Sequence, residues 1–203
     1  MNYAELAAAI QVFAVDDEPA FLAMIPTFVG DTEKRIFSEA DLPAAQLDIT
    51  VATVVGDPLL TMPGGFLSVD SLSMTVAGAV VYLTPKSTDF LRTAYPVAAN
   101  GVPRYFAVYD ATQLQIVPAP DAIYSTFIEY FGYPPSIVDA GTSWLGDNFG
   151  RALLYGALRD AAVFLKEEAD IVTMYNNQYT EALSQVKAFG VTRARTDRYR
   201  TRG

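Results

Sequence analysis

Apolar residues at the start of the chain repeat at the spacing of a helix. Asn2 and Glu5 stand three residues apart, as in a capping box, and an apolar helical stripe follows them. The stripe consists of Leu6, Ile10 and Phe13. The pattern predicts a short helix that begins beside Asn2.

A second helix is predicted after the acidic run at residues 16–18. Pro19 follows this run directly, and a helix tolerates proline at its first position and favours acids at its positive end. Apolar residues continue at helical steps to Phe37, and Pro26 among them is predicted to split or kink the helix. We assign residues 1–41 to the N-terminal helices of a bundle.

Residues 42–135 show the alternation of apolar and polar positions that is typical of strands. The alternating residues are Leu47, Ile49, Val51 and Val55 near the start of this region and Tyr124, Thr126, Ile128 and Tyr130 near its end. Two strand candidates, Tyr105–Tyr109 and Gln113–Val117, are separated by a short loop, as in a hairpin. Ser87 is a suitable cap for one or two helical turns. The region is therefore predicted to be β-rich.

Helical spacing returns after Pro134 and Pro135. Residues 148–168 are apolar on two faces, which predicts a helix that is packed on both sides, either in a bundle or between subunits. A last helix is predicted from a cap at Asp170 to a stop at Gly190.

Together these elements predict an α+β fold. Helices at both ends of the chain, with strands between them, imply that residues 1–41 and 136–190 pack into one helical bundle. Residues 42–135 then form a central β-rich insertion, and residues 191–203 form an extended C-terminal arm.

The composition is that of a folded protein and excludes many chemistries. The 203 residues are 51% hydrophobic and 18% charged, with no cysteine and no histidine. Disulfides, thiolate nucleophiles, imidazole catalysis and Cys or His metal sites are thereby excluded. The mean hydropathy is +0.20, yet no stretch approaches the ~20 apolar residues of a membrane span. The N-terminus does not resemble a secretory signal, so we expect a protein made in the cytoplasm.

Charge is distributed unevenly along the chain. Residues 191–203 hold five arginines and one aspartate, a net charge of +4, whereas residues 1–190 hold 9 basic and 22 acidic residues, a net charge of −13. An acidic body repels nucleic acid and anionic membranes, and a short basic segment attached to it favours an arm that docks on an acidic partner. A solvated, solubilising end is the alternative interpretation.

Other candidate sites favour structural interpretations. The acids at residues 16–18 lack the ligand spacing of a calcium loop and fit a helix start. Gly64 and Gly65 lack the lysine and hydroxyl of a phosphate-binding loop and fit a turn. The 12 tyrosines could stack on sugars or bases, but their alternation favours half-buried strand positions. We therefore assign no catalytic, cofactor-binding or metal-binding residue.

Several sequence pieces, in their order and spacing, resemble the head-to-tail adaptor proteins of tailed bacteriophages. They are YAELA (residues 3–7), EKRIF (33–37), YFGYPP (130–135), SWL (143–145), LLYGAL (153–158) and AAVFLKEE (161–168). The resemblance covers nearly the whole chain and is strongest between Tyr130 and Tyr179. None of the pieces is a catalytic signature.

The resemblance implies a non-enzymatic structural protein of the virion, located at the head–tail interface after synthesis in the host cytoplasm. Such adaptors form a dodecameric ring that joins the portal protein to a tail protein, a nozzle or tail tube, and DNA passes through the ring only as cargo. No cofactor and no membrane are implied. The C-terminal segment of the family extends toward the portal, so its candidate portal-binding residues here are Arg193, Arg195, Arg198, Tyr199, Arg200 and Arg202.

Two alternatives remain open from the sequence. In the first, the arginine-rich tail grips phosphates, and the protein is a nucleic-acid-binding module with salt-sensitive affinity. In the second, carboxylates and tyrosines form a glycosidase-like cleft, which requires two acids at a fixed separation.

Overall fold

A computed structural model describes residues 1–96 and 99–196, with side chains through residue 190. The α+β prediction is confirmed. The chain divides into two compact units. One unit contains Gln46–Pro134 and is called the β unit; the other combines residues 1–45 with the described residues from 135 onward and is called the helical unit.

The helices have the following bounds. They are α1 (Tyr3–Ala14), α2 (Pro19–Glu39), α3 (Thr88–Ala94), α4 (Ile137–Ala140), α5 (Trp144–Phe164) and α6 (Ala169–Thr196), with a 3-10 turn at Pro43–Ala45. The predicted capping box is present at the start of α1, where the Asn2 side chain accepts from the Glu5 backbone N–H and the Glu5 carboxylate accepts from the Asn2 N–H. Phe13, predicted to lie on the buried stripe, is half exposed.

Helix α2 begins at Pro19 as predicted, but Pro26 does not split it. Proline removes one backbone hydrogen bond from the helix, and its ring crowds a carbonyl of the preceding turn. Buried apolar residues on both sides of Pro26, including Ile25 and Phe28, hold the flanking turns against the core. Tertiary packing therefore overrides the local cost of proline.

Helices α5 and α6 differ from their predicted bounds. Ser143 caps α5 by accepting from the Gly146 N–H at 3.1 Å. Phe149 leaves helical angles inside α5, at φ −136° and ψ 37°, which explains why the regular pattern predicted a start at residue 148. Helix α6 begins at Ala169, so Asp170 lies in its first turn and is not its cap.

The predicted stop at Gly190 is wrong, because α6 continues to Thr196. A Cβ atom at Gly190 would lie 2.5 Å from the carbonyl oxygen of Asp41. Glycine is therefore required at position 190 because another backbone segment approaches closely there, and it does not mark the end of the helix.

The helical unit is built around one apolar core that α1, α2, α4, α5 and α6 all supply. Elements from both ends of the chain meet in it: Leu6 and Ile10 of α1 and Leu153 and Ala157 of α5 are fully buried. Phe164, at the end of α5, is 43% exposed, although the pattern placed it on an apolar stripe.

Most strands of the β unit are short. They are β1 (Gln46–Ala52), β2 (Leu59–Thr61), β3 (Phe66–Val76), β4 (Ala79–Tyr82), β5 (Thr84–Pro85), β6 (Asn100–Gly101), β7 (Tyr105–Val108), β8 (Gln113–Val117), β9 (Ala119–Pro120) and β10 (Ser125–Gly132). One antiparallel sheet has the order β1-β10-β3-β4. A mixed sheet has the order β2-β8-β7-β5, in which β5 is parallel to β7, and β6 pairs with β9 in parallel.

The alternation predicted for the β unit is largely confirmed. Thr126, Ile128 and Tyr130 are buried on one face of β10, and the hairpin of β7 and β8 forms as predicted. The Asp110 carboxylate accepts from the Thr112 backbone N–H at 2.7 Å and stabilises the hairpin loop. Val55 lies beyond β1 and is 52% exposed, against prediction.

Candidate assembly surfaces

The predicted arm begins as helix. Arg193 and Arg195 lie on the last turns of α6, while Arg198, Tyr199, Arg200 and Arg202 lie outside the described residues. Helix α6 has 28 residues and is therefore about 42 Å long. The first half of the arm is a continuation of a packed helix, whereas the sequence predicted an extended chain from residue 191.

A buried carboxylate joins α2 to the segment that leads into α4. The Glu33 side chain is 5% exposed and accepts hydrogen bonds from the Ser136 hydroxyl and, at 3.1 Å, from the Ile137 backbone N–H. The Ile137 N–H lies in the first turn of α4, where backbone N–H groups have no acceptor within the helix. Glu33 thereby fixes the position at which the chain re-enters the helical unit.

A second polar network joins α2 to α5. The Asp160 carboxylate accepts from the guanidinium groups of Arg35, at 3.1 Å, and Arg159, at 2.9 Å. The Arg159 guanidinium also lies over the ring of Tyr179 of α6, 5.1 Å from its centroid. Burial raises the pKa of Tyr179, and the charge of Glu39 raises it further. These contacts fix the positions of α2, α5 and α6 relative to one another.

The N-terminus lies beside the irregular start of α5. The Met1 ammonium group donates to the Gly146 carbonyl oxygen at 3.0 Å. Nearby, the rings of Trp144, Phe149 and Phe189 form a cluster with centroids 5.5–5.7 Å apart. This cluster packs the irregular turn of α5 against the last third of α6.

A groove opens in the helical unit where the end of α1 meets the end of α5 and the start of α6. Its volume is about 210 Å³, and its lining includes Phe13, Val15, Leu158, Leu165, Ile171 and Tyr175. Glu167 also lines this α1–α5–α6 groove. Burial raises the pKa of Tyr175, and the nearby charge of Glu167 adds to the shift.

In the β unit, β4 is an edge strand whose residues are all exposed. Val80 and Tyr82 are 63% and 69% exposed. An edge strand with apolar side chains is a surface that another chain can contact.

Within residues 1–96 and 99–196, no group of three or more Asp or Glu side chains is placed to hold a metal ion. None of the helices in these residues is long and apolar enough to cross a membrane.

A comparison with protein families gives a match over the full length. The profile described as "SU10 adaptor protein" matches residues 1–203, which is the whole chain. The chain belongs to the SU10 adaptor protein family. The predicted resemblance to phage head-to-tail adaptors is thereby confirmed, and the adaptor is a structural protein of a bacteriophage virion. A search of curated proteins finds no match to this chain.

Sequence reasoning missed two features of this adaptor. The carboxylate of Glu33 was not predicted to be buried, because its partners Ser136 and Ile137 lie more than a hundred residues away. The α1–α5–α6 groove was not predicted either. Its sequence signals were Phe13, which the helical spacing places on a buried stripe, and the charged junction at residues 166–170, which the sequence alone indicates is a solvated helix boundary.

Proposed function

We propose that this adaptor forms a ring that joins the portal protein to a tail protein and leaves a channel for the genome. The observation that carries the proposal is the family match over the whole chain. The net charge of −13 on residues 1–190 also supports it, because a conduit for DNA should not hold the duplex through phosphate contacts. A dodecamer, with a helical bundle at the ring and the β unit toward the tail, is the form that the resemblance implies.

The arm is the proposed portal-binding element. Its five arginines can make paired, charge-assisted hydrogen bonds with carboxylates of an acidic neighbour. Arg193 and Arg195 belong to a helix that is anchored in the core by Tyr179, Leu183 and Val186, which are all buried. The arm therefore starts from a rigid base, which lowers the entropy that binding must overcome.

We further propose that free subunits are monomeric until the portal brings them together. Acidic bodies of like charge repel one another. Sedimentation of the purified protein at low micromolar concentration should give a monomer, and a stable ring without portal would contradict this proposal.

Deletion of residues 192–203 tests the role of the arm. The variant should retain its thermal stability, because the segment adds little to the core, and should lose co-sedimentation with the portal protein of the same phage. Replacing Arg193, Arg195, Arg198 and Arg200 with glutamine should weaken the association and flatten its salt dependence. The matched variant with lysine at these positions keeps the charge but loses the planar fork, so it separates charge from geometry.

Two results would argue against this role. Full portal affinity of the truncated protein would move the docking surface to the helical unit. Salt-sensitive binding of the full-length protein to duplex DNA, lost on truncation, would favour the alternative of a nucleic-acid-binding module.

A further inference from the structure

The α1–α5–α6 groove has the size of a site for one side chain. Small-molecule sites usually occupy about 300–1,000 Å³, and this groove has a volume of about 210 Å³. A cavity of about 150 Å³ is enough for a benzene ring. The groove is therefore too small for a cofactor and large enough for one aromatic ring.

The edge of the groove carries a strained and exposed apolar residue. Val15 ends α1 in the left-handed conformation, with φ 52° and ψ 37°, and is 89% exposed. This conformation is unfavourable for a β-branched residue, and glycine is the usual residue there. Phe13, on the other side of Ala14, is also half exposed. The exposed Val15 side chain contributes little to the stability of the isolated subunit. A valine in this strained conformation is therefore better explained by contact with a partner.

Acidic residues lie in, or directly beside in sequence, the segments that line the groove. Glu167 lines the groove, and Glu168 and Asp170 follow it as exposed residues. On the α1 side, the acidic residues at 16–18 directly follow Val15. Lys166 is the only basic residue in these two junctions. The rim therefore favours a cationic occupant.

The chain itself contains a segment of matching chemistry. Tyr199 is the only aromatic residue of the arm and stands between Arg198 and Arg200, with Arg202 two residues further on. A phenol ring suits the apolar floor, and the flanking guanidinium groups suit a carboxylate rim.

A subunit cannot place its own Tyr199 in its own groove. Ile171, at the groove, and Thr196 are 25 residues apart in α6, which is about 37 Å along the helix. The three residues from Thr196 to Tyr199 span at most about 10 Å when fully extended. The occupant must therefore come from another subunit.

We propose that the α1–α5–α6 groove of one subunit binds the end of the arm of a neighbouring subunit, with Tyr199 on the apolar floor and Arg198 and Arg200 on the acidic rim. This inference rests on the proposed ring and specifies a contact that links its subunits. This contact takes Arg198, Tyr199 and Arg200 out of the portal-binding set proposed above and leaves Arg193, Arg195 and Arg202 in it. The contact is heterologous, since groove and arm are different surfaces, and repetition of such a contact generates a ring when the rotation between subunits closes.

A peptide of residues 191–203, labelled at its N-terminus, tests the groove without requiring a ring or a portal. Full-length protein at low micromolar concentration, at which we expect a monomer, should bind the peptide when the peptide is in large excess, with affinity that falls as salt rises. Val15→Gly should weaken binding about tenfold, because it removes an apolar contact residue of the groove, without loss of thermal stability, because glycine relieves the strain. Val12→Ala removes methyl groups from an exposed residue of α1 outside the groove lining, so this control should bind like wild type.

A peptide with Tyr199→Ala should bind about tenfold more weakly, and a peptide with glutamine in place of its arginines should lose the salt dependence. Equal binding by wild type and Val15→Gly would overturn the proposal and place the peptide elsewhere on the acidic surface. Equal binding by the peptide without arginines would also overturn it, in favour of an apolar segment from another protein. Because this assay contains no portal, its failure would leave the co-sedimentation test of the proposed function unaffected.

Cysteine pairing tests whether the contact joins two subunits, since the chain has no cysteine. Val15→Cys protein mixed with Tyr199→Cys protein should form a disulfide-linked dimer of the two variants under mild oxidation. Ala4→Cys is the matched control, because Ala4 is exposed on the same helix, about 16 Å from Val15. Equal cross-linking of Ala4→Cys and Val15→Cys with the Tyr199→Cys protein would contradict docking in the groove.

Discussion

The helical unit and the β unit differ in the polar groups that they bury. The helical unit buries the carboxylate of Glu33 and holds the Arg35–Asp160 pair with both side chains less than one third exposed. Among the described residues of the β unit, the buried polar side chains are those of Thr53, Ser73 and Thr126, which carry hydroxyl groups. Buried charges are expensive to leave without partners, whereas hydroxyl groups cost less.

This difference follows from how each unit is assembled. The helical unit brings together two ends of the chain that are separated by the whole β unit, and its charged contacts join α2 to residues more than a hundred positions away. The strands of the β unit already satisfy most backbone groups through their ladders. We therefore expect substitutions at the junctions of the helical unit to have the larger effects.

The largest effect is expected where α2 and α5 pack most closely. A Cβ atom on Gly156 would lie 2.3 Å from Cγ2 of Thr32, which is fully buried. Gly156→Ala should destabilise the helical unit by about 1–3 kcal/mol, the usual cost of overpacking. Urea unfolding followed by the fluorescence of Trp144, the only tryptophan, reports on this unit.

Gly30→Ala is the matched control in α2. No heavy atom lies within 4 Å of a Cβ atom built on Gly30, so alanine should stabilise the helix by roughly 0.5–1 kcal/mol. Equal destabilisation by both substitutions would contradict the close α2–α5 contact.

The second largest effect is expected at Glu33. Glu33→Ala leaves the Ile137 N–H and the Ser136 hydroxyl without their partner, which should cost roughly 1–2 kcal/mol. Glu39 lies on the same helix in an ion pair with Lys187 and is 39% exposed. Glu39→Ala should therefore cost only about 0–1 kcal/mol, and the same urea experiment compares the two. A larger loss at Glu39 would show that buried charge does not set the difference between the sites.

The elements that were predictable from the sequence are those with local signals. The Asn2–Glu5 capping box, the Pro19 start and the hairpin around Asp110 each depend on residues within a few positions of one another. Gly190 was misjudged because a glycine that ends a helix and one that allows another backbone to approach look the same in sequence. The groove was missed for a related reason, since it requires α1, α5 and α6 to meet at one point.

A smaller effect, with opposite signs at two residues, is expected in the β unit. The Thr53 hydroxyl accepts from the Tyr124 N–H at 2.8 Å and donates to the Ala122 carbonyl at 3.1 Å, so Thr53→Val should destabilise by about 1 kcal/mol. The Thr126 hydroxyl is buried without a hydrogen-bond partner among the described residues. Thr126→Val should therefore stabilise by up to about 1 kcal/mol. Amide hydrogen exchange of β10 measures both, and a loss of protection in both variants would contradict this assignment.

The smallest effect on stability is expected at Tyr179, and it is expected only at alkaline pH. Burial raises the pKa of Tyr179, with a further contribution from Glu39, so the folded state prefers the neutral phenol. The stability linked to this preference is present below the ordinary tyrosine pKa of about 10 and is lost as the pH rises through the folded value. Tyr179→Phe should match wild type at pH 7 and be more resistant to unfolding above about pH 10.

Tyr130 provides the matched comparison in the β unit, because burial also raises its pKa, with a contribution from Asp48. If the two units unfold separately, Tyr130→Phe should leave the alkaline transition of Trp144 fluorescence unchanged, while Tyr179→Phe moves it to higher pH. An equal shift in both variants would show that the units unfold together. The helical unit, with its buried charge, and the β unit, with its buried hydroxyl groups, would then form one cooperative structure. A destabilising substitution in either unit would lower the stability of both.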